Sequence, residues 1–170
     1  MSARWLKACL VGSLCALACV GAEPVLAAVP STGYLIVPGH SIGKVTIGEG
    51  TGFVVAAIGG PRGRSTNAGP GWLYGALEVL TDVTQLRVVG LVVAPRFAGT
   101  QAQAARYVTR SGIHVGSTLT AVRRAYPRAR CSRARAGCVL SEGTRTTTFS
   151  VAKGANELAG GSRVIAISIG

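Results

Sequence analysis

Few side chains in this 170-residue chain could do acid–base or nucleophilic chemistry. There are six Asp and Glu residues and two His residues, and no metal-binding or nucleophile motif gathers them. Ser117 could lie near His114, but on a strand these two side chains would point to opposite faces, and no orienting acid stands beside them. We therefore expect a non-catalytic protein, with a small secreted hydrolase as the enzymatic alternative. Beyond residue 27 the carboxylates are Glu49, Glu78, Asp82, Glu142 and Glu157.

Basic side chains are concentrated in residues 123–138, RRAYPRARCSRARAGC. The formal net charge is +12, which attracts anionic partners, and residues 83–141 contain no carboxylate. The segment is either an anion contact or a solvated face produced by an Arg- and Ala-rich composition. Nucleic acid is not expected, because base stacking would need aromatic residues among the arginines. The candidate contact residues are Arg123, Arg124, Arg128, Arg130, Arg133 and Arg135.

Residues 1–27 have the pattern of an export signal. Arg4 and Lys7 precede an apolar run, and Val25 and Ala27 are small residues suited to cleavage. The alternatives are an uncleaved membrane anchor, for which the run is shorter than the roughly 20 residues a bilayer needs, and lipid attachment at Cys19. We expect a secreted or cell-envelope protein that meets a membrane only through an uncleaved or lipidated export segment.

Cleavage near Ala27 would leave only Cys131 and Cys138 in the chain. An even pair of cysteines in an exported protein predicts a disulfide. The eight-residue ring it closes would stabilise the fold by roughly 2.5 kcal/mol. Zinc binding is disfavoured because the chain has no CxxC pair and the ring contains two arginines. We expect no metal and no other cofactor.

Two segments, residues 47–61 and 115–129, match at an offset of 68 positions. In the second segment Thr118 is a natural N-cap, and Pro127 ends the helix that follows. In the first, a helix starting at Gly50 or Thr51 is expected to bury its apolar residues. The matched positions are Gly48 and Gly116, Val54 and Val122, Ala57 and Ala125, Ile58 and Tyr126, and the apolar residues of the first helix are Phe53, Val54, Ala57 and Ile58.

Strand patterns follow both predicted helices. The first half contains WLYGALEVL and LRVVGLVV, and the second contains TRTTTFSVA and RVIAISIG, each pair typical of a β-hairpin. In the last strand, alternation of Ile165, Ile167 and Ile169 predicts one buried face. Between the halves, Thr100 and Gln103 have capping-box spacing. The sequence therefore predicts an α+β fold of two tandem repeats, residues 28–98 and 99–170, each a short helix packed on a small antiparallel sheet, with the cysteine loop in the second.

The first segment resembles the G-x-T-x-x-x-V-x-x-x-L-G-x-P signature of the SmpA/OmlA (BamE-type) outer-membrane assembly lipoproteins. The matching residues are Gly48, Val54, Ile58, Gly59 and Pro61. The first segment has Gly50 at the threonine position, whereas the second keeps Thr118 but has Tyr126 and Pro127 for Leu-Gly. The same unit in tandem is known from the beta-lactamase inhibitory proteins. The resemblance implies binding through a curved sheet and its loops. It does not extend to lactamase inhibition, because the aromatic-rich binding sheet of those inhibitors is not matched here.

Two hypotheses of function follow. The first is a secreted or envelope-attached binding module for an extracellular protein, held by the sheet and its loops, with Trp72 and Tyr74 as candidate contact residues. The second is an adhesin-like protein held electrostatically on anionic cell-wall polymers or a membrane surface by its arginine-rich segment. Their dependence on ionic strength separates them, because only the electrostatic contact should weaken steeply with salt.

Overall fold

The computed structural model describes residues 34–65, 69–95, 99–132, 136–152 and 161–170. The predictions for the export segment, including Cys19 and Ala27, and for Arg133, Arg135 and Glu157 lie outside these residues. The predicted α+β class is confirmed, and strands predominate. The helices are α1 (Thr51–Ile58), α2 (Gln101–Ala105) and α3 (Leu119–Ala125). The strands are β1 (Leu35–Val37), β2 (Ser41–Ile42), β3 (Val45–Thr46), β4 (Gly63–Ser65), β5 (Gly71–Tyr74), β6 (Leu77–Thr81), β7 (Val88–Val93), β8 (Val108–Thr109), β9 (Arg130–Ser132), β10 (Gly137–Glu142), β11 (Arg145–Val151) and β12 (Val164–Ile169).

The strands form a large sheet and a small one. The large sheet has eight strands in the order β4-β5-β6-β7-β12-β11-β10-β9, and every neighbouring pair is antiparallel. The small sheet has the order β3-β2-β1-β8 and contains one parallel pair, β1 with β8. The large sheet therefore consists of two four-stranded meanders, which we call the first arm (β4–β7) and the second arm (β9–β12), joined where β7 pairs with β12.

The two arms have the same hydrogen-bonding register. In the first, β6 and β7 shift register after Leu80, so that Thr81 lies opposite Val88. In the second, β11 and β12 shift after Ser150, and Val151 lies opposite Val164. Each shift leaves one unpaired residue in the last strand of its arm, which is a β-bulge. These bulge residues, Val89 and Ile165, are 50% and 45% exposed.

The connection between helix and sheet is also the same in both halves. The N–H of Gly48 donates to the carbonyl of Val88, and the N–H of Gly116 donates to the carbonyl of Val164. Both glycines have positive φ, +90° and +102°, a region that side chains strongly disfavour. Two residues later come the N-caps of α1 and α3, Gly50 and Thr118.

The hydrophobic core lies on one face of the large sheet. Directly paired residues of a sheet share a face, and the core cluster takes alternate residues from each central strand, such as Leu91, Phe149 and Ile167, together with Val54 of α1 and Val122 of α3. The residues in between point away from the helices and are absent from this cluster. None of the described helices therefore packs on the other face of the eight-stranded sheet.

Several local predictions are confirmed. The Thr118 hydroxyl accepts a hydrogen bond from the backbone N–H of Ala121, as an N-cap does. Thr100 and Gln103 form the predicted capping box at the start of α2. The disulfide between Cys131 and Cys138 is present.

Three details of the prediction are wrong. Phe53 is 74% exposed, because a helix that starts after Gly50 turns Val54 inward. Ile165 does not continue the buried alternation of the last strand, because it is the bulge residue. The segment WLYGALEVL is a hairpin rather than one strand, since Gly75, at φ +65°, turns the chain between β5 and β6.

Truncating the matched core valines tests the one-sided core. Val54 and Val122 are both fully buried, so Val54→Ala and Val122→Ala should each lower the free energy of unfolding by about 2 kcal/mol in urea denaturation. The neighbouring Phe53→Ala should change it by less than about 0.5 kcal/mol, because Phe53 is exposed. A loss at Phe53 as large as that at Val54 would contradict the orientation of α1.

Candidate binding surfaces

The face of the large sheet opposite the helices, here called the open face, carries a continuous row of residues across all eight strands. Each member lies directly opposite the next in the strand register. The row joins both arms through the pairing of β7 with β12. In spatial order it consists of Gly63, Leu73, Glu78, Val92, Ser168, Thr148, Val139 and Arg130, which we call the central row.

Exposure varies along the central row. Arg130 is exposed and Gly63, Leu73, Thr148 and Ser168 are partly buried, whereas Glu78, Val92 and Val139 are buried. The Thr148 and Ser168 side chains at its centre are small, so ordering them against a partner costs little entropy. They are therefore the part of the row best suited to contact a close-fitting partner.

Glu78 is the acidic residue of the central row. It is only 2% exposed, and its Oε1 atom is buried without a hydrogen-bond partner. Gly71 of the neighbouring strand provides the space it occupies, since a Cβ at Gly71 would lie 3.1 Å from Oε1. A buried carboxylate oxygen without a partner loses its hydration and gains no hydrogen bond in exchange. Glu78 is thus an unfavourable feature of the isolated fold.

Removing this charge should stabilise the protein. We expect Glu78→Gln to raise the free energy of unfolding by about 1 kcal/mol or more. Burying an amide costs less free energy than burying a carboxylate. Urea unfolding at neutral pH measures the change. Glu142→Gln is the matched control, since Glu142 is exposed and its substitution should have little effect. A loss of stability in Glu78→Gln would contradict this account of the site.

The four predicted arginines that the structure describes do not lie on a single surface. Arg123 and Arg124 lie on the exposed side of α3, on the helix side of the sheet. Arg128 is exposed in the turn that follows. Arg130 lies opposite Val139 and therefore belongs to the edge of the open face. The described part of the segment curves around the outer edge of the second arm.

The disulfide fixes this edge. Cys131 of β9 lies directly opposite Cys138 of β10, on the side of the sheet that faces the core. Cys138 is fully buried, and Cys131 packs against the core cluster. The bond therefore holds the short edge strand β9, and Arg130 with it, against the rest of the second arm.

Trp72 and Tyr74 lie on the helix side of the large sheet. Their paired residues, Val79 and Leu77, belong to the core, and both aromatic rings pack against it. The Nε1 atom of Trp72 and the hydroxyl of Tyr74 are nevertheless buried without hydrogen-bond partners. Neither residue contributes to the open face, and Tyr74 lines a cleft on the opposite side of the sheet.

His114 and Ser117 form part of a turn. The backbone N–H of His114 donates to the Ser117 hydroxyl at 3.0 Å, and the His114 Nδ1 atom lies 2.8 Å from the carbonyl oxygen of Val115. Both groups thus have local backbone partners. Within the described ranges, no group of three or more His, Cys, Asp or Glu residues could hold a metal ion.

The central row was not identified from the sequence, although part of its signal is present. In β11 the buried residues Thr147, Phe149 and Val151 alternate with Thr148 and Ser150, the period expected of a strand with one solvated face. The pattern does not reveal that eight strands align these positions in one row, because strand order is not encoded in the period.

Comparisons with protein-family models, curated proteins and solved structures find no match to this chain. Among the residues that the structure describes, no helix is both long enough and apolar enough to cross a membrane.

Proposed function

We propose that the protein is a non-catalytic binding module, secreted or attached to the cell envelope, that holds a protein partner on its open face. The central row carries this proposal, because it continues across both arms, the side chains at its partly exposed centre, Thr148 and Ser168, are uncharged, and no helix covers it in the described residues. Adjacent strands are about 4.8 Å apart, so eight strands span about 34 Å. With six-residue strands about 20 Å long, the face is of the same order as the roughly 800 Å² that each partner contributes to a typical interface.

We further propose that the two halves are tandem repeats of one ancestral unit, with boundaries near residues 28–98 and 99–170. Support comes from the matched strand order of the arms, the matched bulges at Val89 and Ile165, and the matched positive-φ glycines, Gly48 and Gly116. The resemblance to the SmpA/OmlA and beta-lactamase inhibitory proteins is consistent with this proposal. Two copies joined edge to edge make a docking face twice as wide as one copy could.

Two features favour a partner outside the cytoplasm. The sequence of residues 1–27 has the pattern of an export signal, and the disulfide of the second arm is typical of proteins in an oxidising compartment. A disulfide at the rim of the sheet also keeps that rim in place before a partner arrives, which lowers the entropic cost of binding.

Charge introduced at the centre of the open face tests the docking site. Thr148 and Ser168 face each other across β11 and β12. Thr148→Arg and Ser168→Arg should each reduce capture of the native partner from culture medium or envelope extract at least about tenfold. The reason is that docking would bury an unpaired charge, which costs free energy.

The matched control is Ala56→Arg, which adds the same side chain to the exposed side of α1. It should leave capture unchanged, and urea unfolding should verify that all three variants fold. Capture that survives both open-face variants, or is lost equally in Ala56→Arg, would refute the open face as the docking surface.

Electrostatic retention is a second candidate function. Arg123, Arg124, Arg128 and Arg130 are exposed and have no ion pair with another described residue, so they are available to anionic wall polymers or lipid headgroups. The spread of these residues around an edge, rather than over one surface, favours the first candidate.

A salt wash distinguishes the two candidates. Electrostatic retention predicts release of the protein from cells as ionic strength rises, and loss of retention in the double variant Arg128→Glu with Arg130→Glu. Arg64→Glu with Arg110→Glu changes the net charge equally at exposed sites outside the segment. If retention on cells does not change with salt, or falls equally in both double variants, residues 123–138 do not hold the protein on the cell surface.

A further inference from the structure

A cleft of about 520 Å³ opens on the helix side of the molecule, away from the open face. It lies between the β2–β3 turn, the end of α1, the β5–β6 turn and the end of α2. Small-molecule sites in proteins commonly have volumes of about 300–1,000 Å³. The cleft is thus large enough for a compact organic ligand.

The charged side chains among the described lining residues of this cleft are all cationic: Lys44, Arg62 and Arg106. No carboxylate is among its described lining residues, and none of the three cations has an ion pair with another described residue. They come from three separate parts of the chain, so the cluster is not one basic run. Like charges held around one concavity raise its potential and draw anions into it. We call this site the basic cleft.

Arg106 is held in a position that leaves its donors free. Its guanidinium carbon lies 4.3 Å from the centre of the Tyr34 ring. The ring of Tyr34 in turn meets Tyr107 edge to face, with 5.3 Å between the ring centres. When a guanidinium stacks on a ring, its N–H groups point outward in the guanidinium plane. There they can donate two hydrogen bonds to one carboxylate or phosphate.

The remaining lining supplies an apolar floor and a polar donor. Ile42, Val45 and Leu77 are buried below the cleft. Tyr74 lines the cleft as well, and its hydroxyl is buried with no hydrogen-bond partner. A tyrosine hydroxyl is a donor at neutral pH, and burial raises the pKa of Tyr74 further above its ordinary value. A buried donor without a partner is costly unless a ligand satisfies it.

We propose that the basic cleft binds a small organic anion, an aromatic or otherwise apolar body bearing a carboxylate or phosphate group. The anionic group pairs with the cationic side chains of the rim, the apolar body covers the floor, and the Tyr74 hydroxyl donates to an oxygen of the ligand. This site is separate from the open face, so it does not depend on the proposed protein partner.

The test is a titration of the ¹⁵N-labelled full chain with phenyl phosphate. The lining glycines Gly43, Gly60 and Gly75 report on the cleft through their amide resonances. We expect saturable shifts of these resonances with a dissociation constant at or below about 1 mM, and no saturation with the neutral analogue benzyl alcohol. Inorganic phosphate should bind at least about tenfold more weakly, because it cannot cover the apolar floor.

Variants locate the interaction. Arg62→Gln with Arg106→Gln should weaken phenyl phosphate binding at least about tenfold, and Tyr74→Phe should weaken it several-fold while preserving the packing of the ring. Arg64→Gln with Arg110→Gln removes the same charge from exposed positions that do not line the cleft and should leave binding unchanged.

Two results would overturn the proposal. One is the absence of saturable shifts at the three glycines up to about 10 mM phenyl phosphate. The other is an equal loss of affinity in the double variant of Arg64 and Arg110, which would show general attraction of anions to a cationic protein rather than a site. Shifts of the same size at the amide of Arg110 would have the same meaning.

Discussion

The pairing of β7 with β12 is the interaction on which the rest of the structure depends. Each arm alone is a four-stranded meander with one short outer strand, β4 or β9, of three residues. Joining the long strands β7 and β12 removes two exposed edges, which would otherwise be free to pair with other chains. The same pairing aligns Val92 with Ser168 and so connects the two arms of the central row.

A second constraint is that both arms bury the same face. Since α1, α3 and the residues of the core cluster lie on one side, no described helix covers the opposite side, and the side chains at its centre, Thr148 and Ser168, are small. This arrangement gives the molecule two separate candidate binding regions. The open face is wide, weakly charged and formed by both arms. The basic cleft is concave, cationic and formed by the first arm together with the small sheet and α2.

Local rules were sufficient for part of this fold. Thr118 could be identified as an N-cap, and Cys131 and Cys138 as a disulfide, because each depends on nearby residues and on the compartment. The exposed position of Ile165 could not be predicted, because a β-bulge shifts the alternation without leaving a mark in the residue types. The central row and the basic cleft depend on the packing of distant segments, such as those that bring Lys44 and Arg106 to one cleft, which no period or motif encodes.

Cross-strand nuclear Overhauser effects between β7 and β12 test the central claim most directly. A continuous eight-stranded sheet predicts backbone contacts that place Val92 opposite Ser168 and Leu91 opposite Ile169, alongside the contacts within each arm. If the contacts within both arms are present and those between β7 and β12 are absent, the arms form two separate sheets. The open face would then not exist as one surface, and a partner could not dock across both arms.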